Sequence, residues 1–371
     1  MPHPLLVMQQ LGQSPWHDNI RRDLLTSGAL ARMIADGDIT GLTSNPTIFE
    51  QAIANSDIYD ATLRALAADG KDTEAIFDAL AIADIRDAAD LFLPVYERTA
   101  GVDGYVSIEV SPRLAHDTAK TLAEARRLWA TVARPNLMVK IPATLEGLGA
   151  IEAAIADGMN VNVTLIFSLE RYAAVIDAYI AGLQRRAAAG GALDGIASVA
   201  SFFVSRVDSA VDKVLEARLA AGTGSADALE AALGQSAIAN AKLAYELFRE
   251  TFDGPAFAAL AANGAQRQRP LWASTGTKNP KYPDTYYVDA LVGPDSVNTM
   301  PPATIAAFKD HGTPARRIDQ DVAGAHRTIG ALAPLGVDLP AVLAQLEADG
   351  VASFAKSYET LLDVVARRAV A

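Results

Sequence analysis

The chain has 371 residues, of which 50 % are hydrophobic, and it carries a formal net charge of −12. This length suits either two average domains or one large α/β barrel. The negative charge argues against a nucleic-acid partner and against binding to an anionic membrane, although a small anionic substrate needs only a local cationic pocket. The sequence has no cysteine, which excludes disulfides, thiolate metal ligands and a cysteine nucleophile.

Neither a signal peptide nor a membrane span is expected. The apolar run at residues 5–8 has no preceding cation and is too short for a signal peptide. No uncharged apolar run approaches the roughly 18 residues that a membrane-spanning helix needs. We therefore expect a soluble, cytoplasmic protein.

Strand and helix patterns alternate along the chain. Predicted strands lie at about 12–20, 41–49, 105–110, 137–144, 160–167, 197–204, 270–275 and 296–300. Predicted helices lie at about 21–35, 57–68, 73–99, 118–133, 147–157, 169–183, most of 206–251, 286–292 and most of the chain after 302, with Ser168 as an N-cap. If the extended piece at residues 16–20 is counted as the first strand, the eight units predict parallel strands closed into a (β/α)8 TIM barrel, with its active site at the C-terminal strand ends.

No low-complexity or Pro/Ser-rich linker divides the chain. We therefore expect a single α/β domain over residues 1–371. Within it, the helical stretch at about 206–265 is interpreted as an insertion or lid, and the C-terminal helices as additions to the barrel.

The fourth predicted strand, residues 137–144, places one cation in an apolar run. Because side chains alternate along a strand, Leu137, Val139 and Ile141 share one face, whereas Lys140 shares the other with Met138. A lone lysine in such a strand is more often solvated at an edge than buried for a purpose. Neighbouring strands change this expectation, because they also carry polar residues on one face.

Those polar residues predict a site inside the barrel. Ser107 and Glu109 share one face of the third strand, and Asn160, Asn162 and Thr164 share one face of the fifth. Burying them unpaired would be costly, so they must pair with one another, with water or with a ligand. A purely structural polar network remains the alternative. The chemistry of a buried lysine beside a carboxylate favours a Schiff base, because desolvation makes an amine nucleophilic and a carboxylate can move the protons.

Metal and cofactor chemistry have little support in the sequence. The five histidines are scattered, with no pair at ligand spacing, and neither a Walker loop nor a GxGxxG motif is present. A magnesium site made only of Asp and Glu stays open, but no residues single one out. We expect no metal and no cofactor. For an anionic substrate, Arg206 at a strand end is a candidate ligand, with a surface salt bridge as its alternative, and Lys278 could assist it.

Five segments together resemble the transaldolase family. They are 41–49 (GLTSNPTIF), 106–113 (VSIEVSPR), 137–144 (LMVKIPAT), 160–168 (NVNVTLIFS) and 200–208 (ASFFVSRVD). The resemblance spans roughly residues 12–305, and the segments occur in the family's order. It implies a (β/α)8 barrel that moves a dihydroxyacetone unit from sedoheptulose 7-phosphate to glyceraldehyde 3-phosphate, giving erythrose 4-phosphate and fructose 6-phosphate.

The resemblance also implies roles for individual residues. Lys140 matches the nucleophile that forms the Schiff base, Glu109 the acid–base residue acting through a water, and Thr164 the hydroxyl that holds this water. Asp18 matches the aspartate that takes the proton from the C4 hydroxyl, a role that pattern alone would not have suggested. The positions matching substrate ligands are Asn45, Asn162, Ser201, Arg206 and Ser274.

One departure concerns the phosphate. The family's common form places an arginine shortly after the Ala-Ser of the seventh strand, whereas here Ala273-Ser274 leads to Lys278. Lys278 is therefore the expected substitute. Phosphorylated sugars are the expected partners, and a monomer or a homodimer is compatible with the sequence. Two other functions stay open: a class I fructose 6-phosphate aldolase that releases free dihydroxyacetone, and a non-catalytic sugar-phosphate-binding barrel.

Overall fold

Eight parallel strands form a closed barrel in a computed structural model that describes residues 2–370. Each strand pairs with its neighbours in the chain, and the last pairs with the first. The strands are β1 Gln13–Asp18, β2 Gly41–Thr43, β3 Val106–Glu109, β4 Leu137–Pro142, β5 Val161–Ile166, β6 Ser198–Phe203, β7 Arg269–Ala273 and β8 Ser296–Met300. The predicted (β/α)8 TIM barrel is confirmed.

Helices surround the barrel and fill the connections between strands. They are α1 Pro4–Gln10, α2 Arg22–Thr26, α3 Ala29–Ala35, α4 Pro46–Ala54, α5 Asp60–Ala68, α6 Thr73–Arg98, α7 Thr118–Val132, α8 Leu145–Ala156, α9 Leu169–Ala188, α10 Ser205–Ala220, α11 Ala226–Ala232, α12 Ser236–Phe252, α13 Pro255–Ala261, α14 Tyr286–Ala290, α15 Pro302–His311, α16 Val322–Leu332 and α17 Leu339–Ala369. A 3₁₀ turn, Pro112–Leu114, follows β3. Among residues 2–370, no helix combines the length and apolarity required for a membrane crossing.

The strands are buried on both faces, as expected for a parallel sheet covered by helices. Every residue of β4, β5, β6 and β8 is buried. The apolar members pack into the main hydrophobic core, whereas the polar side chains of Lys140, Asn162 and Ser201 have hydrogen-bond partners on neighbouring strands or loops. The alternation that predicted a polar interior is therefore present in the barrel.

Two predicted elements were wrong at their boundaries. The strand predicted at 41–49 ends at Thr43, because Pro46 begins α4 and the side chain of Asn45 caps it. Proline suits the first turn of a helix, where its missing N–H costs nothing. The helix predicted at 21–35 is divided into α2 and α3 by Gly28, whose φ of 72° lies in the left-handed region.

The C-terminal helix α17 lies against segments that follow three of the strands. It packs on α4, which follows β2, on the 3₁₀ turn after β3, and on α10, which follows β6. These three connections leave the C-terminal ends of the strands, so α17 covers part of the barrel mouth, where sites of (β/α)8 proteins lie.

Candidate active site

The register of three adjacent strands brings Glu109, Lys140 and Asn162 side by side. Glu109 of β3 pairs with Lys140 of β4, which in turn pairs with Asn162 of β5. The Lys140 Nζ lies 3.1 Å from the Glu109 Oε2, and the two side chains are only 6 % and 5 % exposed. Lys140 also donates a hydrogen bond to the Ser44 carbonyl oxygen at 3.2 Å. The amine is thus buried and paired, not solvated at an edge.

The Glu109 carboxyl binds a proton more readily than a solvated glutamate, because its pKa is raised. Burial raises the pKa of its carboxyl, and the nearby positive charge of Lys140 opposes part of this rise. The net shift is upward, so the pKa of Glu109 lies closer to neutral pH than the pKa of a solvated glutamate. Proton transfer between Glu109 and Lys140 therefore costs less than it would between an ordinary carboxylate and an ordinary ammonium.

Asp18 lies at the end of β1 on the wall of the same cavity. Its Oδ1 accepts a hydrogen bond of 2.8 Å from the Thr43 hydroxyl, which also lies 2.6 Å from the hydroxyl of Thr299. Burial raises the pKa of Asp18, while Lys140, the Thr43 hydrogen bond and two more distant cations lower it. A carboxylate with a raised pKa suits proton abstraction from a substrate hydroxyl.

The raised pKa of Asp18 predicts a pH-dependent cost to stability. Between the unfolded pKa of 3.8 and the higher folded value, the folded state binds more protons, so the free energy of unfolding falls as pH rises through this window. Asp18→Asn mimics the neutral acid and can still accept from Thr43. We expect its Tm at pH 7.5 to exceed that of the wild type by on the order of 2 °C, and calorimetry at several pH values measures the difference.

The difference between Asp18→Asn and the wild type should shrink as pH falls through the raised folded pKa and disappear below 3.8, where Asp18 is protonated in both the folded and the unfolded state. A variant that is less stable at pH 7.5, or equally more stable at every pH, would contradict the assigned shift. Asp23→Asn, at an exposed carboxylate that pairs with Arg21, is the matched control and should not gain stability at pH 7.5.

A chain of buried hydrogen bonds lies beneath Lys140. The Ser201 hydroxyl donates to the Asn162 Oδ1 at 2.7 Å, and the Asn162 Nδ2 donates to the Ser107 hydroxyl at 3.0 Å. Ser201 reaches the cavity, whereas Asn162 is fully buried. Asn162 therefore does not line the cavity itself but orients the hydroxyl of Ser201, which does. The Thr164 hydroxyl also reaches the cavity and has no hydrogen-bond partner within residues 2–370, so it is available to a ligand or water.

The cavity above these residues has a volume of about 530 Å³, enough for a sugar phosphate. Arg206, in the first turn of α10, and Lys278, in the loop after β7, both line it. Neither forms a salt bridge with any carboxylate in the described part of the chain (2–370), so both charges are available to an anion. The hydroxyls of Ser274 and Ser205 lie 3.0 Å apart beside them. The surface salt bridge considered for Arg206 is not present among these residues.

Asn45 enters the cavity from the start of α4. Its Oδ1 accepts a hydrogen bond of 3.0 Å from the Ile48 N–H and thereby caps the helix. The amide nitrogen is the group that remains to donate to a ligand. All ten residues predicted for the site thus lie on this cavity or, for Glu109 and Asn162, directly bonded to residues that line it.

Sequence reasoning missed four contributors. The Thr43 hydroxyl donates to Asp18 and is itself bonded to the Thr299 hydroxyl, and the Ser44 carbonyl accepts from Lys140. Alternation along β2 and β8 could have placed the two threonines on the inner face of the barrel, beside the other polar residues. Phe354 of α17 also lines the cavity, and nothing local to its helix indicated this. No group of three or more His, Cys, Asp or Glu side chains is placed to hold a metal ion anywhere in residues 2–370.

The fold and this arrangement define a class of protein: a (β/α)8 barrel with a buried lysine–carboxylate pair at the C-terminal ends of its strands. Residues 15–365 match the family model described as Transaldolase/Fructose-6-phosphate aldolase. The chain therefore belongs to the transaldolase/fructose-6-phosphate aldolase family, which confirms the family indicated by the strand motifs.

Two relatives are similar in sequence to this chain over nearly its whole length. It is 52 % identical over 355 residues to a transaldolase of Thiobacillus denitrificans, covering 96 % of this chain and 97 % of the relative. It is 53 % identical over 374 residues to a transaldolase of Thermobifida fusca, covering 100 % of both. The second match covers the whole chain and therefore includes every strand of the barrel and also α17.

Proposed function

We propose that this protein is a transaldolase that transfers a dihydroxyacetone unit from sedoheptulose 7-phosphate to glyceraldehyde 3-phosphate, giving erythrose 4-phosphate and fructose 6-phosphate. The observation that carries the proposal is the buried Lys140 amine, paired with Glu109 at 3.1 Å and open to a cavity that Asp18 also lines. Its relatives over the full length are named transaldolase.

In the first step, the neutral Lys140 amine attacks the C2 carbonyl of the ketose donor. The C–N bond forms, the carbonyl oxygen takes up a proton, and the carbinolamine then loses water to give the iminium ion. Glu109, whose pKa is raised by burial, takes the amine proton and returns one to the departing hydroxyl, directly or through a water held by Thr164. The Lys140 iminium is the electron sink, so the chemistry requires neither metal nor cofactor.

In the second step, Asp18 removes the proton of the donor's C4 hydroxyl. The C3–C4 bond breaks, its electron pair moves toward the iminium nitrogen, and an aldose leaves while an enamine stays on Lys140. The acceptor aldehyde then enters. The enamine carbon attacks it, its oxygen takes back the proton from Asp18, and water hydrolyses the new iminium to release the ketose product.

The remaining cavity residues hold the sugar in this scheme. The hydroxyls of the dihydroxyacetone unit bind to Ser201 and to the Asn45 amide, with Asn162 orienting Ser201. The phosphate binds between Arg206 and Lys278, with Ser274 as a hydroxyl donor. The position of Arg206 supports this assignment, because it is half-buried on the cavity wall with no salt bridge among residues 2–370, which an anion would stabilise, while Lys278 is exposed on the same cavity.

The test is to incubate the enzyme with fructose 6-phosphate with and without erythrose 4-phosphate and to identify the products. We expect sedoheptulose 7-phosphate and glyceraldehyde 3-phosphate with the acceptor, and only slow release of dihydroxyacetone without it. Unphosphorylated fructose is the matched control donor. It lacks the group that Arg206 and Lys278 would bind, so it should react poorly.

Three outcomes would contradict the proposal. Release of dihydroxyacetone at the same rate with and without acceptor would indicate an aldolase. Binding of fructose 6-phosphate with no adduct after borohydride reduction would indicate a barrel that only binds. Equal reaction with fructose would remove Arg206 and Lys278 from substrate binding.

A further inference from the structure

An aromatic ring from α17 lies over the Lys140 amine. Phe354 is 4 % exposed, and its ring centroid lies 5.6 Å from the Lys140 Nζ. That distance is within the range at which an aromatic face attracts a cation. The ring also lines the substrate cavity, so it forms an apolar wall of the compartment in which the Schiff base would form.

Polar contacts hold α17 against three segments that follow strands of the site: the helices α4 and α9 and the 3₁₀ turn. Ser357 accepts a hydrogen bond of 2.8 Å from Thr47, which follows β2. Glu359 accepts two bonds of 2.6 Å from Arg113, which follows β3. Glu347 accepts two bonds, of 3.0 and 3.2 Å, from Arg171, which follows β5. Contacts on both sides of Phe354 along the helix fix the position of its ring.

A glycine one turn before Phe354 lets α17 approach the barrel closely. A Cβ at Gly350 would lie 2.9 Å from the Cδ2 of Leu165 in β5. Leu165 has a φ of 62° and lies within the irregular part of β5, directly after Thr164. A larger side chain at position 350 would therefore push α17 away from β5. The close packing at Gly350 brings the Phe354 ring near the Lys140 amine.

We propose that Phe354 determines the fate of the enamine intermediate by keeping water from the carbon bonded to the Lys140 nitrogen. The proposal rests on the Schiff-base function assigned to Lys140 above. In transfer, the enamine carbon attacks the acceptor aldehyde. In the competing release, that carbon takes up a proton from Asp18 or solvent, water adds to the resulting iminium carbon, the C–N bond breaks, and dihydroxyacetone leaves with the amine restored.

The two reactions need water at different points: transfer needs it only after the new C–C bond has formed, whereas release needs it while the acceptor is still absent, so an apolar wall beside the enamine favours transfer. The ring of Phe354 occupies space that water would fill beside the Lys140 nitrogen if a smaller residue stood there. It leaves the polar side of the cavity, with Asp18 and Ser201, open to the acceptor. Phe354 is thus a specificity-determining residue, which selects the acceptor sugar over water.

The experiment compares Phe354→Ala and Phe354→Leu with the wild type, using fructose 6-phosphate as donor. Free dihydroxyacetone is measured without acceptor, and sedoheptulose 7-phosphate with erythrose 4-phosphate as acceptor. We expect the ratio of release to transfer to rise about tenfold in Phe354→Ala, the change produced by losing ~1.4 kcal/mol of discrimination. Phe354→Leu keeps a branched apolar side chain that fills part of the same space, so its ratio should stay closer to that of the wild type than to that of Phe354→Ala.

Leu343→Ala is the matched control. Leu343 is 5 % exposed on the same helix but borders a separate groove with Leu169 and Ile329, so its truncation lowers Tm without opening the amine to water. Its release-to-transfer ratio should equal that of the wild type. An equal rise in Leu343→Ala, no rise in Phe354→Ala, or a rise in Phe354→Leu as large as in Phe354→Ala would each overturn the proposal.

Borohydride trapping separates this proposal from the proposed function. If the wild type and Phe354→Ala both give a reduced adduct at Lys140 while their ratios are equal, only the role of Phe354 fails. If the wild type gives no adduct at Lys140, the Schiff-base function itself fails.

Discussion

Lys140→Ala is expected to abolish formation of a covalent adduct with fructose 6-phosphate under borohydride and to reduce transfer to background. The amine supplies the electron pair for the C–N bond, and the other cavity residues offer no amine in its position. Peptide mass mapping measures the loss directly. The fold should survive, because burial already raises the pKa of Glu109 and loss of the Lys140 charge, which lowers that pKa, makes the neutral carboxyl still easier to reach.

Two further variants make the Lys140 result specific. Lys140→Met preserves most of the side-chain volume and should be equally inactive, which excludes a cavity as the cause of the loss. Lys278→Ala removes the other lysine of the cavity, and it should still be trapped at Lys140, at a higher substrate concentration. An adduct that maps to Lys278 in the wild type would remove Lys140 from the mechanism.

Glu109→Gln is expected to slow adduct formation by roughly 10²–10⁴-fold, the contribution typical of a general acid–base residue. Glutamine has nearly the same size, yet it cannot take the amine proton. The effect should fall on kcat and leave KM nearly unchanged, because Glu109 does not line the substrate cavity. Rapid-quench trapping with borohydride measures the rate of the first chemical step.

Glu124→Gln is the matched control for Glu109. Glu124 and Glu109 both line a second, smaller cavity, but Glu124 pairs with Arg127, and its replacement should leave adduct formation unchanged. An unaltered trapping rate in Glu109→Gln would show that the lysine loses its proton by another route.

Much of the barrel could be predicted from the sequence because parallel strands carry short-range signals. Apolar runs of four to eight residues alternated with helical spacing, and Lys140 stood out as a cation within such a run. Alternation along β3 and β5 then placed Glu109 and Asn162 on polar faces, and the register made them neighbours of Lys140. Asp18 was different, since only the family resemblance indicated it.

The parts that escaped prediction depend on long-range packing. Asn45 and Pro46 read equally as the end of a strand or the start of a helix, and the proline at the first helical position decided the outcome. Phe354 belongs to an amphipathic helix whose inward residues look alike in sequence. Its contact with Lys140 depends on the close seating of Gly350 against Leu165, a fact of tertiary structure with no local pattern.

The hydroxyl pair Thr43–Thr299 joins β2 to β8 across β1, where the barrel closes between its first and last strands. Closure there requires partners that are far apart in the chain, which makes it an entropically slow event during refolding. Lys140 and Glu109 sit on adjacent strands that can meet earlier. A refolding molecule would therefore bring Thr43 to Asp18 and Glu109 to Lys140 before Thr43 meets Thr299, so the seam between the first and last strands would be the last part of the cavity wall to form.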